Sequence, residues 1–139
     1  MSENQKKIWI TGASSGIGKA LSEKFALEGW KVAVSARRKE ILDNMAINKN
    51  ISSYPLDVTN QDQVKNISSK VINDFGDLDI CVFSSGTYDP KLEQEINIKQ
   101  NKFVMETNFF GVLHCIKSVE KYFKDKKDGH ISIVSSVAA

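Results

Sequence analysis

The residues Thr11-Gly12-Ala13-Ser14-Ser15-Gly16-Ile17-Gly18 bring three glycines together at the spacing Gly-x-x-x-Gly-x-Gly. They follow a short apolar run and precede a stretch of helical period, so they occupy a strand-to-helix turn. Such a turn can cradle a pyrophosphate. Gly12 permits a tight exit from the strand, Gly16 lets the backbone approach the phosphates, and Gly18 allows close helix–strand packing. Ser14, Ser15 and Ile17 complete the loop, and the N–H groups and dipole of the helix start favour the anion. A glycine turn without a ligand is the competing reading, and the strand–turn–helix setting weighs against it.

A second group follows about twenty residues later, where an acid commonly holds the 2′-hydroxyl of an adenine ribose. Ala36 stands there, followed by Arg37 and Arg38. A carboxylate would repel a 2′-phosphate, whereas an arginine can bind it bidentately. The pair predicts NADP(H) rather than NAD(H), with Arg37 the first candidate for the 2′-phosphate and Arg38 the second. Two arginines merely exposed at a helix start are the alternative, which the helix dipole disfavours slightly.

To hold these groups together, the chain must align several strand ends. Short β-rich runs are expected over 7–10, 31–35, 51–56, 78–83 and 131–134, the third interrupted by Pro55. Between them lie helical patterns. The first, over 16–28, places Ile17, Ala20, Leu21 and Phe25 on one face; the second covers 38–46. A third carries Val64, Ile67, Val71 and Phe75. A long helix over 99–124 carries Phe109, Val112, Ile116, Val119 and Phe123. This βαβαβαβαβ alternation predicts an α/β, Rossmann-type doubly wound parallel sheet in a single domain spanning 1–139.

The bulk properties exclude other classes. The chain has 139 residues, 41% hydrophobic and 26% charged, with a net charge of +2. Its charges are interspersed, which gives no footprint for nucleic acid or an anionic membrane. The lysine-rich run over 124–127 reads as a solvated helix end. Cys81 and Cys115 lie in apolar stretches without metal-ligand spacing and are expected to be buried, reduced thiols. The polar N-terminus leads into too short an apolar run for a signal peptide, so a cytoplasmic protein is expected.

The glycine spacing with Thr11 resembles the short-chain dehydrogenase/reductase family, and further matches follow in order. Asp57-Val58 is similar to the family's adenine-contacting pair. Asn108, in Glu106-Thr107-Asn108-Phe109-Phe110-Gly111-Val112, matches its helix asparagine. The segment Gly129-His130-Ile131-Ser132-Ile133-Val134-Ser135-Ser136-Val137-Ala138 is similar to the strand ending in its catalytic serine. The resemblance implies hydride transfer between a nicotinamide and a small carbonyl or alcohol substrate. Ser136 would orient the carbonyl, and Asn108 would complete a proton relay with a tyrosine and a lysine. It also admits a homo-oligomer, because the helix over 99–124 resembles one the family uses in dimer contacts.

Two departures stand out. No Tyr-x-x-x-Lys follows Ser136 within the 139 residues. Tyr122 and Lys126 imitate its spacing but precede the serine strand, and Tyr122 is expected to face solvent. Phe83-Ser84-Ser85-Gly86 replaces the family's Asn-Asn-Ala-Gly; Gly86 is kept for close approach to the cofactor, but the bracing asparagines are gone. His114 and His130 have no nucleophile or metal partner in view and are expected to be core or surface residues. The sequence therefore reads as the cofactor-binding front part of an NADP(H)-dependent reductase or dehydrogenase. A non-catalytic dinucleotide-binding module, or an inactive remnant, is the alternative.

Overall fold

The computed structural model describes residues 4–88 and 90–136. Strands β1 (Lys7–Thr11), β2 (Lys31–Ser35), β3 (Ile51–Ser53), β4 (Ile80–Phe83) and β5 (His130–Ile133) form one sheet in the order β3-β2-β1-β4-β5. Every neighbouring pair is parallel. Helices α1 (Gly16–Leu27), α2 (Lys39–Met45), α3 (Gln61–Phe75), α4 (Ile98–Met105) and α5 (Gly111–Lys126) connect or flank them. The expected Rossmann-type α/β architecture is present.

Alternation along the central strands feeds two cores. Ile8, Ile10, Val32 and Val34 meet Ala26 of α1 and Leu42 and Met45 of α2. Trp9, Ala33, Cys81 and Phe83 point the other way, toward Val64 and Val71 of α3 and Cys115 and Val119 of α5. Strands buried on both faces must be apolar throughout, which is why their sequences are near-continuous hydrophobic runs. Within this core the Trp9 indole donates to Ser35 Oγ at 2.9 Å. Both cysteines are buried free thiols. Burial pushes their pKa up, that of Cys115 to about 12, so neither is a nucleophile at neutral pH.

Four expectations change. The helix over 99–124 is interrupted: a π-helical turn, Glu106–Phe110, separates α4 from α5. The added residue rotates the faces, so Phe109 is 50% exposed and the buried ridge is Gly111, Cys115 and Val119. In α1 the buried face is the small-residue ridge Gly18, Ser22 and Ala26, while Ile17 and Ala20 are exposed. Small side chains let this helix sit close to the sheet. β3 ends at Ser53, although Tyr54 N–H and Leu56 N–H still bond Val34 and Ala36 carbonyls beyond it. Finally, Tyr122 is half-buried against the core, and Lys126 of the lysine-rich run is only 21% exposed. Among the described residues no helix is long and apolar enough to cross a membrane.

Candidate functional site

β1 pairs with β2 on one side and β4 on the other, so the chain's path across the sheet reverses beside it. In open parallel sheets the crevice beyond the carboxyl ends of such strands is where ligands bind. A cavity of about 680 Å³ opens there. Gly12, Ser14, Ser15, Gly16, Ile17 and Gly18 line it after β1, Arg37 and Arg38 after β2, Asp57 and Val58 after β3, and Gly86 after β4. Every cofactor residue expected from the sequence therefore borders one space.

The glycine turn is tightly built. Gly12 has φ +65°, and a Cβ there would lie 2.5 Å from the Ser84 carbonyl oxygen. A Cβ on Gly18 would overlap the Gly12 carbonyl oxygen and lie 2.7 Å from Ser84 Oγ. Gly16, at φ +53°, has no atom within 4 Å of its Cβ position, leaving open space beside the backbone. Ser15, the N-cap residue of α1, makes no side-chain capping bond, and the first turn of the helix carries no acid. Its N–H dipoles are thus not neutralised by a carboxylate of the helix's own first turn.

Ser84 settles the question raised by the lost asparagines. Its hydroxyl donates to the Thr11 carbonyl at 2.6 Å, tying the end of β4 to the end of β1. One serine thus braces the sheet beside the glycine turn. On the opposite wall Arg38 Nη2 donates to Ser14 Oγ at 3.2 Å, and the Arg37 guanidinium lies 5.8 Å from the Phe103 ring centroid. Asp57 accepts from the N–H and hydroxyl of Thr59, which fixes the turn into α3. His114 Nδ1 is 2.8 Å from the Val58 carbonyl oxygen, a structural contact that holds the same loop from α5.

Asn108 and Ser136 stand apart from this wall. Asn108, on the π-helical turn, accepts from Thr87 N–H at 2.7 Å and donates to the Thr87 carbonyl at 2.8 Å. It straps the loop after Gly86 to the helix and lies outside the cavity lining. Ser136 is exposed beyond β5 and is not a lining residue either; residues 137 and 138 of its motif lie outside the described residues. Sequence reasoning missed Ala36, Leu56, Ser84, Ser85, Thr107 and Val134 as lining groups. Their position next to a motif residue was the available signal. No group of three His, Cys, Asp or Glu side chains suited to a metal occurs among the described residues.

The Tyr122–Lys126 pair lies at the other end of the sheet. Lys126 Nζ donates to Asp77 Oδ1 at 2.7 Å and to the Leu78 carbonyl at 2.8 Å, just before β4 begins. Tyr122 OH also donates to Asp77 Oδ1. Burial and then the Asp77 carboxylate raise the phenol's pKa, overriding the lowering effect of Lys126. A tyrosine so held is the reverse of one activated by its lysine.

Comparison with known proteins agrees with this fold. The family model described as short chain dehydrogenase matches residues 6–139. A dehydrogenase/reductase SDR family protein 7-like of Dictyostelium discoideum is 34% identical, the match covering 99% of this chain and 47% of that protein. A 3-oxoacyl-[acyl-carrier-protein] reductase, FabG, of Thermotoga maritima is also 34% identical, over 95% of this chain and 56% of its own length. The chain thus spans about half the length of the curated relatives it matches. Among solved structures, ElxO with NADP bound superposes with a TM-score of 0.87 at 30% identity, covering 96% of this chain and 56% of that one. An actinorhodin polyketide ketoreductase with NADPH gives 0.89 at 25% identity, covering 97% and 54%. With the matched model running from before β1 to residue 139, this chain belongs to the short-chain dehydrogenase family.

Proposed function

We propose that the chain forms the NADP(H)-binding part of an oxidoreductase that interconverts a small carbonyl and its alcohol. The cavity fits the dinucleotide by size and by donor set, since about 300–1,000 Å³ is usual for a cofactor site. Gly16, Ile17 and the N–H groups of the α1 start would hold the pyrophosphate, and Asp57 and Val58 the adenine end. Gly86 leaves the backbone near the β4 end able to approach the ligand closely. When bound, the nicotinamide supplies hydride chemistry; the protein supplies position and electrostatics.

The observation that carries the preference for NADP(H) is the pair Arg37 and Arg38 on the cavity wall where an acid would serve NAD(H). Charge-assisted hydrogen bonds contribute about 1.5–3 kcal/mol, so Arg37→Ala should weaken NADPH binding about 10- to 100-fold. NADH binding should stay within about threefold, because its ribose offers that arginine no phosphate. Fluorescence titration of both nucleotides checks this, and equal losses would sink the assignment.

Ser136 is proposed to orient the substrate oxygen and Asn108 to steady the neighbouring loop and relay. The proton donor is proposed to be a Tyr-x-x-x-Lys beyond residue 139. A second reading, a dinucleotide-binding module without catalysis, rests on one observation: none of the tyrosines of the 139 residues lines the cavity. The mass of the native product decides between them. A protein larger than 15.5 kDa with Tyr-x-x-x-Lys downstream supports the reductase, and one of 15.5 kDa supports the module.

A further inference from the structure

The guanidinium of Arg37, which follows β2, lies over the ring of Phe103 in α4. We infer that Phe103 is a positioning residue for Arg37 and, through it, a determinant of selectivity for a 2′-phosphorylated nucleotide; this rests on the proposed NADP(H) reading. Phe103 belongs to α4, which has no fully buried residue, so its ring is not a core side chain that happens to lie near an arginine. It is 37% exposed, does not line the cavity, and lies with its centroid 5.8 Å from the Arg37 guanidinium carbon.

The two arginines are held by different means. Arg38 is tethered to Ser14 of the glycine loop by a hydrogen bond. Arg37 instead rests over the aromatic ring. A surface arginine loses considerable rotamer freedom on binding a phosphate, and a guanidinium already resting on a ring loses less. The ring also attracts the cation without occupying its N–H groups, which stay available for two parallel bonds to phosphate oxygens. A carboxylate in the place of Phe103 would hold Arg37 as well, but would compete with the phosphate. An aromatic side chain orients the donor and leaves its charge uncompensated.

The test measures dissociation constants of NADPH and NADH for the 139-residue chain, for Phe103→Leu, Phe103→Tyr and Arg37→Ala, and for the double variant. Leucine keeps the apolar bulk and removes the ring's quadrupole. Phe103→Leu should lower the selectivity for NADPH over NADH about three- to tenfold, with NADH binding changed by less than about twofold. Phe103→Tyr should retain the selectivity. In the Arg37→Ala background Phe103→Leu should have no further effect on it, because the ring then has no guanidinium to place. Equal weakening of both nucleotides by Phe103→Leu would reduce Phe103 to a packing residue and overturn the inference. So would an unchanged selectivity while Arg37→Ala abolishes it; in that case the NADP(H) reading would survive. If Arg37→Ala itself leaves the selectivity intact, the reading and the inference fall together.

Discussion

The two ends of the sheet put their charged and polar groups to different uses. Beyond the carboxyl ends of β1 and β2, glycine backbone, an uncapped helix start and two arginines border a cavity open to a ligand. Before β4, at the amino end, Asp77, Leu78, Tyr122 and Lys126 satisfy one another. A tyrosine and a lysine four residues apart on a helix are present at this second end, yet they form a structural latch. Spacing alone does not make an acid–base pair. The parallel sheet directs its helix N-termini toward the carboxyl end, so only there does the backbone itself present positive charge to an anion.

Substitutions in the glycine turn test this contrast most severely. Gly18→Ala forces a methyl group into the Gly12 carbonyl oxygen and against Ser84 Oγ, in a place where backbone must move to make room. A loss of about 3 kcal/mol or more in urea unfolding is expected, together with loss of NADPH binding. Gly16→Ala meets no neighbouring atom but keeps an L-residue at φ +53°. Its stability cost should be about 1–2 kcal/mol, while NADPH binding should fall sharply if the methyl borders the proposed phosphate cradle. If Gly16→Ala left binding intact, the cradle would have to lie elsewhere along the loop.

The latch should break in the opposite manner. Although partial burial acts against it, the bonds from Lys126, Tyr122 and Leu78 N–H hold the Asp77 carboxyl down at about 2. Its unfolded value is about 3.9. The folded value is depressed, so the stabilisation is fully present above the unfolded pKa and is lost as pH falls toward about 2. Because this carboxylate is 45% exposed, solvent screening limits the contribution, and Asp77→Asn should cost about 1–2 kcal/mol at pH 7. The difference from the wild type should shrink as pH falls from about 5 through about 2, most steeply between about pH 4 and pH 2. NADPH affinity should not change. A variant with normal stability but impaired nucleotide binding would show that the two ends are coupled rather than independent.

Much of this division is legible in the sequence. Doubly covered strands are uniformly apolar, as in Ile8-Trp9-Ile10 and Val32-Ala33-Val34, and each helix between them leaves a periodic trace. The glycine turn is legible because only glycine satisfies its φ values and close approaches. The π-helical turn is not, since one inserted residue changes the burial of Phe109 without erasing the apolar pattern around it. Nor is the inward position of Tyr122, whose partner Asp77 is 45 positions away in the chain. The ridge Gly18, Ser22 and Ala26 was also obscured, because hydrophobic periodicity favours Ile17 and Leu21 and gives no weight to close packing by small residues.

Ser84 gives the smallest and most discriminating test of how the binding end is built. Its hydroxyl joins β4 to the Thr11 carbonyl, while its backbone already packs against Gly12. Ser84→Ala removes the bond and leaves that packing in place. A half-buried neutral hydrogen bond contributes about 1 kcal/mol, so a loss of that size is expected, with NADPH binding weakened by no more than about threefold. A much larger effect on binding would mean that the cavity depends on the brace itself. No effect on either quantity would mean that glycine packing alone sets the spacing of the β1 and β4 ends. The asparagines absent at Phe83 and Ser84 would then be dispensable here because the backbone contacts leave the sheet little freedom to open.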